Sequence, residues 1–502
     1  MKILSSQQQR QADQYTILNE PILSIDLMER AAQRCVDWIS SIYHPKTCIH
    51  LFCGTGNNGG DGLAIARLLA LKKYAVNCYI VRFTENSTKD FDLNLIRLQQ
   101  TNIICKEIVL EKDMNAISIK EGILIDCLLG TGIIRPTANT LAYLIDKLNT
   151  LPLEKISIDV PSGLYCEQPN GVSDSVIRAK YTLTFQAPKL NFFFPENYAY
   201  VGEMVLLDIA LDQKFIENMN CSWQTIERDT IQHFLKQRMK FSHKGSFGHA
   251  TLFAGSTGKM GAAILSGRAC LRSGVGLLTY VVPKNGNDIL QTAVPEAMTI
   301  VLSSIDDLGG EFPTLPESIV GVGPGIGTSD KTTQFVLDLL RCSKQPIVID
   351  ADALNILSAH KNLLKYVPKN SVLTPHPKEF ERLVGSFKNS HERLKKQLAF
   401  SKAHQCILLV KGAYTCITTP EGEVHFNTTG NPGMATGGSG DVLTGIILSL
   451  LAQSYTPHES ALMGAYIHGM AGDLAAKKFG AASMIASDIV DFLSEALVTL
   501  RN

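Results

Sequence analysis

The chain of 502 residues has no apolar run approaching the roughly 18 residues that signal a membrane-spanning helix. Its first twenty residues, MKILSSQQQRQADQYTILNE, have no continuous apolar stretch after Lys2, so they do not read as a secretory leader. Neither sign of charge is in excess: 47 Lys and Arg balance 47 Asp and Glu, and no basic tail or stripe points to nucleic acid. The 12 cysteines form no CxxC pair and no cluster with zinc-finger spacing. Reduced thiols, mostly in cores, are expected, and with them a cytoplasmic protein that binds neither membrane nor nucleic acid. GxxxxGK[ST] is missing too, which excludes a Walker loop.

What is present is an α/β alternation. A chain this long exceeds the size at which one core keeps growing, so two domains are expected. Short β-branched runs alternate with helical patterns almost throughout, the mark of mainly parallel sheets covered by helices. Strands are predicted at 47–53, 75–81, 122–126 and 155–160, then in a second series at 250–254, 277–282, 318–322, 347–350 and 406–411. A helix is expected over 61–73, where Leu63, Ile65, Leu68 and Leu69 suit packing on a sheet. After the strand-like VGEMVLLDIAL at 201–211 the sequence turns polar and mixed, placing the boundary near residue 220.

In the first half, a strand runs into Gly54-Thr55-Gly56-Asn57-Asn58-Gly59-Gly60-Asp61-Gly62 and then a helix. Such a turn lets backbone amides approach an anion, helped by the helix dipole. A dinucleotide fingerprint would also need an acid at the end of the next strand, where Arg82-Phe83 stands instead. This disfavours an NAD dehydrogenase and leaves an NADP version open through Arg82. Asp126 and Asp159 end two further strands, where ligands of open parallel sheets bind, although either could simply cap the loop that follows.

The second half carries Asn431-Pro432-Gly433-Met434-Ala435-Thr436-Gly437-Gly438-Ser439-Gly440-Asp441, followed by an apolar helix. The amides of Gly438, Ser439 and Gly440 would stabilise charge on a transferring phosphoryl group, while Asp441 takes the proton of an attacking hydroxyl. The alternative is a flexible turn with Asp441 as a helix cap. Two upstream strand ends, Asp350-Ala351-Asp352 and Lys411-Gly412-Ala413-Tyr414-Thr415, weigh toward chemistry.

These motifs resemble a known pair of domains. GNNGGDGLAIARLL, DCLLGTGIIRP, IDVPSGL and TFQAPKL, in that order, are similar to the epimerase domain of hydrated NAD(P)H repair proteins. GVGPGIG, DADALNIL, LTPHPKEFERL, LVKGAYT and TTGNPGMATGGSGDVLTG resemble the ribokinase-like superfamily, most closely its hydrated-NAD(P)H dehydratase branch. The resemblance implies an α/β protein of two tandem domains: a Rossmann-like three-layer α/β/α epimerase over 1–220 and a ribokinase-like α/β/α dehydratase over 221–502. It implies substrate contact, for NADHX and NADPHX, from Asn57, Asn58, Gly59, Gly60 and Asp61, from Gly130, Thr131, Gly132, Ile133, Ile134, Arg135 and Pro136, and from Asp159. A potassium ion would sit near Asn58, Asp126 and Ser162, hard oxygen donors that suit an alkali cation better than zinc. Asp126 and Asp159 both remain candidates for the epimerase proton transfers.

In the dehydratase half the resemblance implies substrate contact at Ala263, Gly325, His376 and Asp441, and nucleotide contact from Lys411, Gly412, Ala413, Tyr414, Thr415 and Gly440. ADP or ATP with Mg2+ would phosphorylate the ring hydroxyl, and loss of phosphate would restore NAD(P)H. The family commonly forms homo-oligomers. Two departures stand out: Tyr165, where Asp is usual after PSGL, and Lys378, where Gly is usual after HP. The rival reading is a small-molecule kinase for a hydroxymethylpyrimidine or pyridoxal-like alcohol, with an N-terminal interaction module; it leaves the NNGGDG half unexplained.

Overall fold

The structure is a computed structural model and describes residues 1–109, 111–115 and 117–501. The chain divides into two compact units, Lys2–Cys221 and Ser222–Asn502, the latter joined by Met1.

The first unit is built on a parallel sheet of β1 (Cys48–Cys53), β2 (Ala75–Val81), β3 (Cys105–Ile108), β4 (Ile123–Cys127), β5 (Glu154–Ile158), β6 (Tyr181–Phe185) and β7 (Glu203–Leu207), in the order β3-β2-β1-β4-β5-β6-β7. Alternate strand residues leave opposite faces, and each face has its own core. Ile49, Leu51, Cys53, Ile80 and Ile125 pack under the helices Ser24–Ile42 and Asn57–Leu71, while Phe52, Tyr79, Val81 and Leu124 pack under helix Asn139–Thr150. Helices on both faces of a parallel sheet make the three-layer α/β/α sandwich.

Strand order reverses between β1 and β4, and the crevice beyond that switch point is where such sheets bind ligands. The helix after β1 starts at Asn57 rather than at the expected 61, with Gly56 as its N-cap, so the NNGGD run is itself the first turn. Gly59 explains why: a Cβ there would stand 1.7 Å from the Gly54 carbonyl oxygen, so a larger residue could not let the helix enter so close to the strand.

The second unit repeats the principle. Its sheet contains β8 (Trp223–Thr225), β9 (His249–Phe253), β10 (Leu277–Val282), β11 (Met298–Val301), β12 (Ile319–Val322), β13 (Val348–Ile349), β14 (Val372–Leu373), β15 (Ile407–Val410), β16 (Cys416–Thr418) and β17 (Val424–Phe426). The order is β11-β10-β9-β12-β13-β14-β15-β16-β17-β8, parallel through β15 and then antiparallel on both sides of β16. One face is covered by helices Met260–Arg272, Ser439–Ala452, Pro457–Phe479 and Ala486–Arg501, the other by Asp330–Cys342, Ala351–Ala359, Pro377–Val384 and Ser390–His404. Helix Ser439–Ala452 is buried all round from Val442 onward, as a helix apolar on every side must be.

The new series was expected to begin near residue 250, yet β8 already pairs with β17 as the far edge strand. A three-residue strand carries too little alternation to be seen in sequence. All twelve cysteines are free, and burial pushes those of the cores up, Cys127 to about 11 and Cys406 to about 12, so these thiols serve as packing groups. Among the described residues no helix is long and apolar enough to cross a membrane.

Candidate active sites

In the first unit the carboxyl ends of the central strands open into a cavity of about 1230 Å³. That exceeds the roughly 300–1,000 Å³ of an ordinary small-molecule pocket and leaves room for a dinucleotide. Asn57, Asn58 and Asp61 line it from the helix, Gly130 through Pro136 from the loop after β4, and Asp159 from the end of β5. Gly59 and Gly60 do not. Gly59 is pressed against Gly54, and a Cβ on Gly60 would meet Met28 Sδ at 2.9 Å, so both are there to let backbones approach. Arg82 reaches the cavity wall and is ion-paired to Glu107 at 3.0 Å.

The two acids at strand ends have different surroundings. Asp126 is fully buried, and both its oxygens are occupied: Oδ2 accepts from Ser157 Oγ (2.8 Å) and Ser162 N (2.9 Å), Oδ1 from Ser162 Oγ (2.5 Å) and Leu128 N (3.2 Å). Burial raises its pKa, against the pull of those four donors. Asp159 instead faces the cavity with φ +64°, a left-handed conformation costly for a residue with a Cβ and concentrated at functional positions. Its Oδ1 accepts from Lys189 Nζ at 2.8 Å, with Thr184 Oγ1 at 3.3 Å and Phe185 N at 3.4 Å.

Lys189 is only 2% exposed, and its ammonium also donates to Thr184 Oγ1 (2.9 Å) and the Ala187 carbonyl (3.0 Å). A buried ammonium persists only when paired and hydrogen-bonded in this way. In the sequence Lys189 lies within TFQAPKL with no role of its own; the one available signal is a lone cation just before the apolar LNFFF. Asp13, which no sequence motif marks, lines the cavity from helix Ser6–Asn19, and its carboxyl is pushed up to about 6 by burial and by Asp159. Burial, with Asp159, Asp13 and Asp90, pushes Asp61 well up as well.

Asn58 joins this group from above. Its amide donates to the carbonyls of Leu129 (2.6 Å) and Ile158 (3.1 Å), which turns Oδ1 the other way, buried and, among the described residues, without a partner. Ser162 Oγ shares the Leu129 carbonyl at 3.3 Å. An orphaned buried amide oxygen is a donor that a hard monovalent cation satisfies, and Asn58 reaches Ser162 through the Leu129 carbonyl that its Nδ2 and Ser162 Oγ share. Tyr165, the departure from the usual Asp, is buried, with its carbonyl accepting from Asn191 Nδ2 at 2.7 Å.

The second unit assembles its groups at successive strand ends. Gly325 follows β12, Asp350 β13, His376 β14 and Lys411 β15, while Asp441 stands in the first turn of helix Ser439–Ala452. Gly438 caps that helix with φ +91°, which turns the loop so that the helix start faces the strand ends. A Cβ on Gly440 would lie 3.2 Å from Lys411 Nζ and 3.8 Å from Asp350 Oδ2, so the loop, Lys411 and Asp350 meet at one point. Asp350, 1% exposed, is held by Lys411 Nζ at 2.8 Å and Thr444 Oγ1 at 2.7 Å.

Asp441 is half-buried, and no hydrogen bond or ion pair among the described residues engages it, which removes the helix-cap alternative. Burial, then the charges of Asp350, Asp352 and Glu379, push its carboxyl up to about 7 against the pull of Lys411. Such a group changes protonation where a general base works best. His376 caps helix Pro377–Val384: Nδ1 accepts from the amides of Lys378 (3.2 Å) and Glu379 (3.4 Å), while Glu379 Oε2 accepts from the His376 amide at 2.8 Å. With Nδ1 accepting, its proton is on Nε2, 3.3 Å from Glu379 Oε1, and burial and Lys411 hold the ring's pKa down. Lys378 is exposed. Ala263 is fully buried in helix Met260–Arg272, its carbonyl taken by Tyr280 Oη at 3.0 Å, so its side chain offers a ligand no open surface.

Fold and sites define a two-domain α/β enzyme, with titratable groups around a dinucleotide-sized cavity in one half and, in the other, a glycine loop that brings Asp441 beside Lys411 and Asp350. Residues 250–495 match the family described as NAD(P)H-hydrate dehydratase, and residues 24–191 the one described as YjeF-related protein N-terminus. A bifunctional NAD(P)H-hydrate repair enzyme of Moorella thermoacetica is 34% identical over 100% of this chain and 97% of its own length. One from Escherichia coli K12 is 31% identical over 93% of this chain and 88% of its own. The solved ADP/ATP-dependent NAD(P)H-hydrate dehydratase of Bacillus subtilis, co-crystallised with ATP and Mg2+, is 29% identical, covering 55% of this chain and 98% of that one with a TM-score of 0.49. The chain belongs to the bifunctional NAD(P)H-hydrate repair enzymes, which join an epimerase half to a dehydratase half. Full-length similarity spanning both halves leaves the kinase with an interaction module unsupported.

Proposed function

We propose that residues 1–220 interconvert the two epimers of NADHX and NADPHX, and that residues 221–502 dehydrate one of them back to NAD(P)H using ADP or ATP. The observation that carries this reading is Asp441: a half-buried, unengaged carboxylate near pKa 7, at a helix start that touches Lys411.

In dehydration, Asp441 takes the proton of the ring hydroxyl as that oxygen attacks the terminal phosphorus of the nucleotide. The amides of Gly438, Ser439 and Gly440 stabilise the charge on the transferring group. The bond from the terminal phosphorus to the nucleotide's bridging oxygen breaks and releases the shortened nucleotide. The C–O bond of the resulting phosphate ester then breaks, and phosphate leaves with the bonding electrons as the ring-nitrogen lone pair forms a C=N bond. Loss of a proton from the adjacent ring carbon returns that pair to nitrogen and forms the C=C bond of the dihydronicotinamide. Lys411, Gly412, Ala413, Tyr414 and Thr415 lie along the nucleotide; Gly325 and His376 face the substrate. Asp350, Asp352 and Glu379, the acids around Asp441, would hold Mg2+ beside the nucleotide. The ion neutralises phosphate charge when bound.

For epimerisation we favour Asp159 over Asp126. Asp126, enclosed by four donors, orders the loops carrying Ser162 and Leu128. Asp159, at the cavity wall with Lys189 behind it, is the group placed to exchange a proton with the hydrated ring. Asn58 Oδ1, Asp126 and Ser162 fit a potassium ion, which would add fixed positive charge beside the substrate. The test is to give the full-length protein a mixture of NADHX epimers with Mg2+ and either ADP or ATP. NADH recovery beyond the share of one epimer is expected; recovery of neither epimer with either nucleotide would overturn the assignment.

A further inference from the structure

A third cluster of ligand atoms lies in the Ser222–Asn502 unit, on residues that neither site uses. Glu423 immediately precedes β17 and His425 lies within it, two positions on, and the two side chains converge. His458 comes from the first turn of helix Pro457–Phe479. The Nε2 atoms of His425 and His458 are 3.2 Å apart, and Glu423 Oε2 stands 3.4 Å from the first and 3.7 Å from the second. The ring planes are tilted by 55° with centroids 5.0 Å apart, so the nitrogens converge rather than the ring faces.

Bonds of about 2.0–2.1 Å in tetrahedral geometry separate zinc ligand atoms by roughly 3.3–3.4 Å. The triangle therefore has the size of one face of a tetrahedral zinc site. Hydrogen bonds satisfy it less well. One proton between the two nitrogens leaves the second as an acceptor, facing a carboxylate oxygen that is also an acceptor. A cation satisfies all three at once.

We propose that Glu423, His425 and His458 bind a divalent transition ion of the zinc class. Two imidazoles and one carboxylate favour such an ion over Mg2+ or Ca2+, which want oxygen ligands. Glu423 and His458 are 48% and 37% exposed, so water completes the fourth position. Bound there, the ion ties β17, and through it edge strand β8, to helix Pro457–Phe479, acting as a clip on the antiparallel end of the sheet.

The test is titration of the full-length, chelator-treated protein with Co2+ in buffer free of Mg2+ and nucleotide. One equivalent is expected to bind with the visible absorption of tetrahedral nitrogen- and oxygen-ligated cobalt, displaced by Zn2+, and Zn2+ should raise the Tm. His458→Ala, at an exposed position, should lose the cobalt spectrum and the Tm shift. Glu423→Gln should weaken binding by at least about 10-fold, the cost of losing even a supporting partner of a metal site. Both variants should keep wild-type epimerase and dehydratase rates when assayed with K+, Mg2+ and nucleotide but no added transition metal, which shows that they fold. The proposal is overturned if the wild type takes up no cobalt, if the spectrum is octahedral or shows thiolate charge transfer, or if His458→Ala binds as the wild type does.

Discussion

Both units place a carboxylate and a lysine at the ends of parallel strands, and they use the lysine differently. In the first, Lys189 pairs with the cavity acid itself, Asp159, at 2.8 Å. In the second, Lys411 is taken by Asp350 at 2.8 Å, and Asp441 is left among acids that push it up to about 7. The same two residue types thus give an ion pair buried in the wall of one site and, in the other, a carboxyl that no described residue engages. What differs is whether a second acid intercepts the lysine.

The largest break in this comparison should come from Asp441→Asn. Shape is kept but the base is lost, so dehydration should fall by about 10²–10⁴ while epimers still equilibrate. NADH recovery and epimer ratio, followed in the same sample, separate the two outcomes; near-normal dehydration would return Asp441 to a structural role.

Lys189→Met should come next. It strands Asp159 in the cavity wall without its partner, which should cost the first unit about 3–5 kcal/mol. Epimerisation should disappear with it. Adding Asp159→Asn should recover much of the stability, read from denaturant unfolding, but none of the epimerase activity. Recovered activity in the double variant would show that the pair is only structural.

Ser162→Ala should act on the first site alone and more weakly. It removes one of the oxygens proposed to hold the potassium ion, and the potassium concentration giving half-maximal epimerisation should rise by about 10-fold. A rate independent of potassium in the wild type would remove the cation from the site.

An effect of about the same size is expected from pH. Asp441 acts only when deprotonated, so with a pKa of about 7 the dehydration rate should fall by roughly 10-fold from pH 8 to pH 6. The sign is set by the raised pKa: an acid near its usual 3.8 would stay ionised across that range and leave the rate flat. A flat profile, with chemistry shown to be rate-limiting, would mean that the surrounding acids do not act on Asp441 as proposed.

Much of this was legible in sequence where the signal is local. The strand predicted at 75–81 is β2 to the residue, and 277–282 is β10, because both are runs of apolar and β-branched residues between clear breaks. Clustered glycines followed by an acid mark a tight turn into a helix start, so the NNGGDG and GGSGD segments could be located at helix starts, although Asn57–Asp61 and Ser439–Asp441 form the first turns themselves rather than preceding them. Strands of two or three residues, β13, β14, β16, β17 and β8, are too short to show a period, and only some were anticipated through a neighbouring motif.

The sequence by itself determined the layers, the two units and the chain positions at which ligand-facing loops occur, since all of these follow from periodicity and from what glycine and proline permit within a few residues. Tertiary structure alone decided which groups meet. Asp159 and Lys189 are thirty positions apart, Asp350 and Lys411 sixty-one, and His425 and His458 thirty-three. Likewise, only the fold separates Asp126, closed in by serines and amides, from Asp159, open to the cavity. Both end a strand of the same sheet. What sets them apart is desolvation and the partners that strand order brings alongside, and neither is a property of the neighbouring residues in the chain.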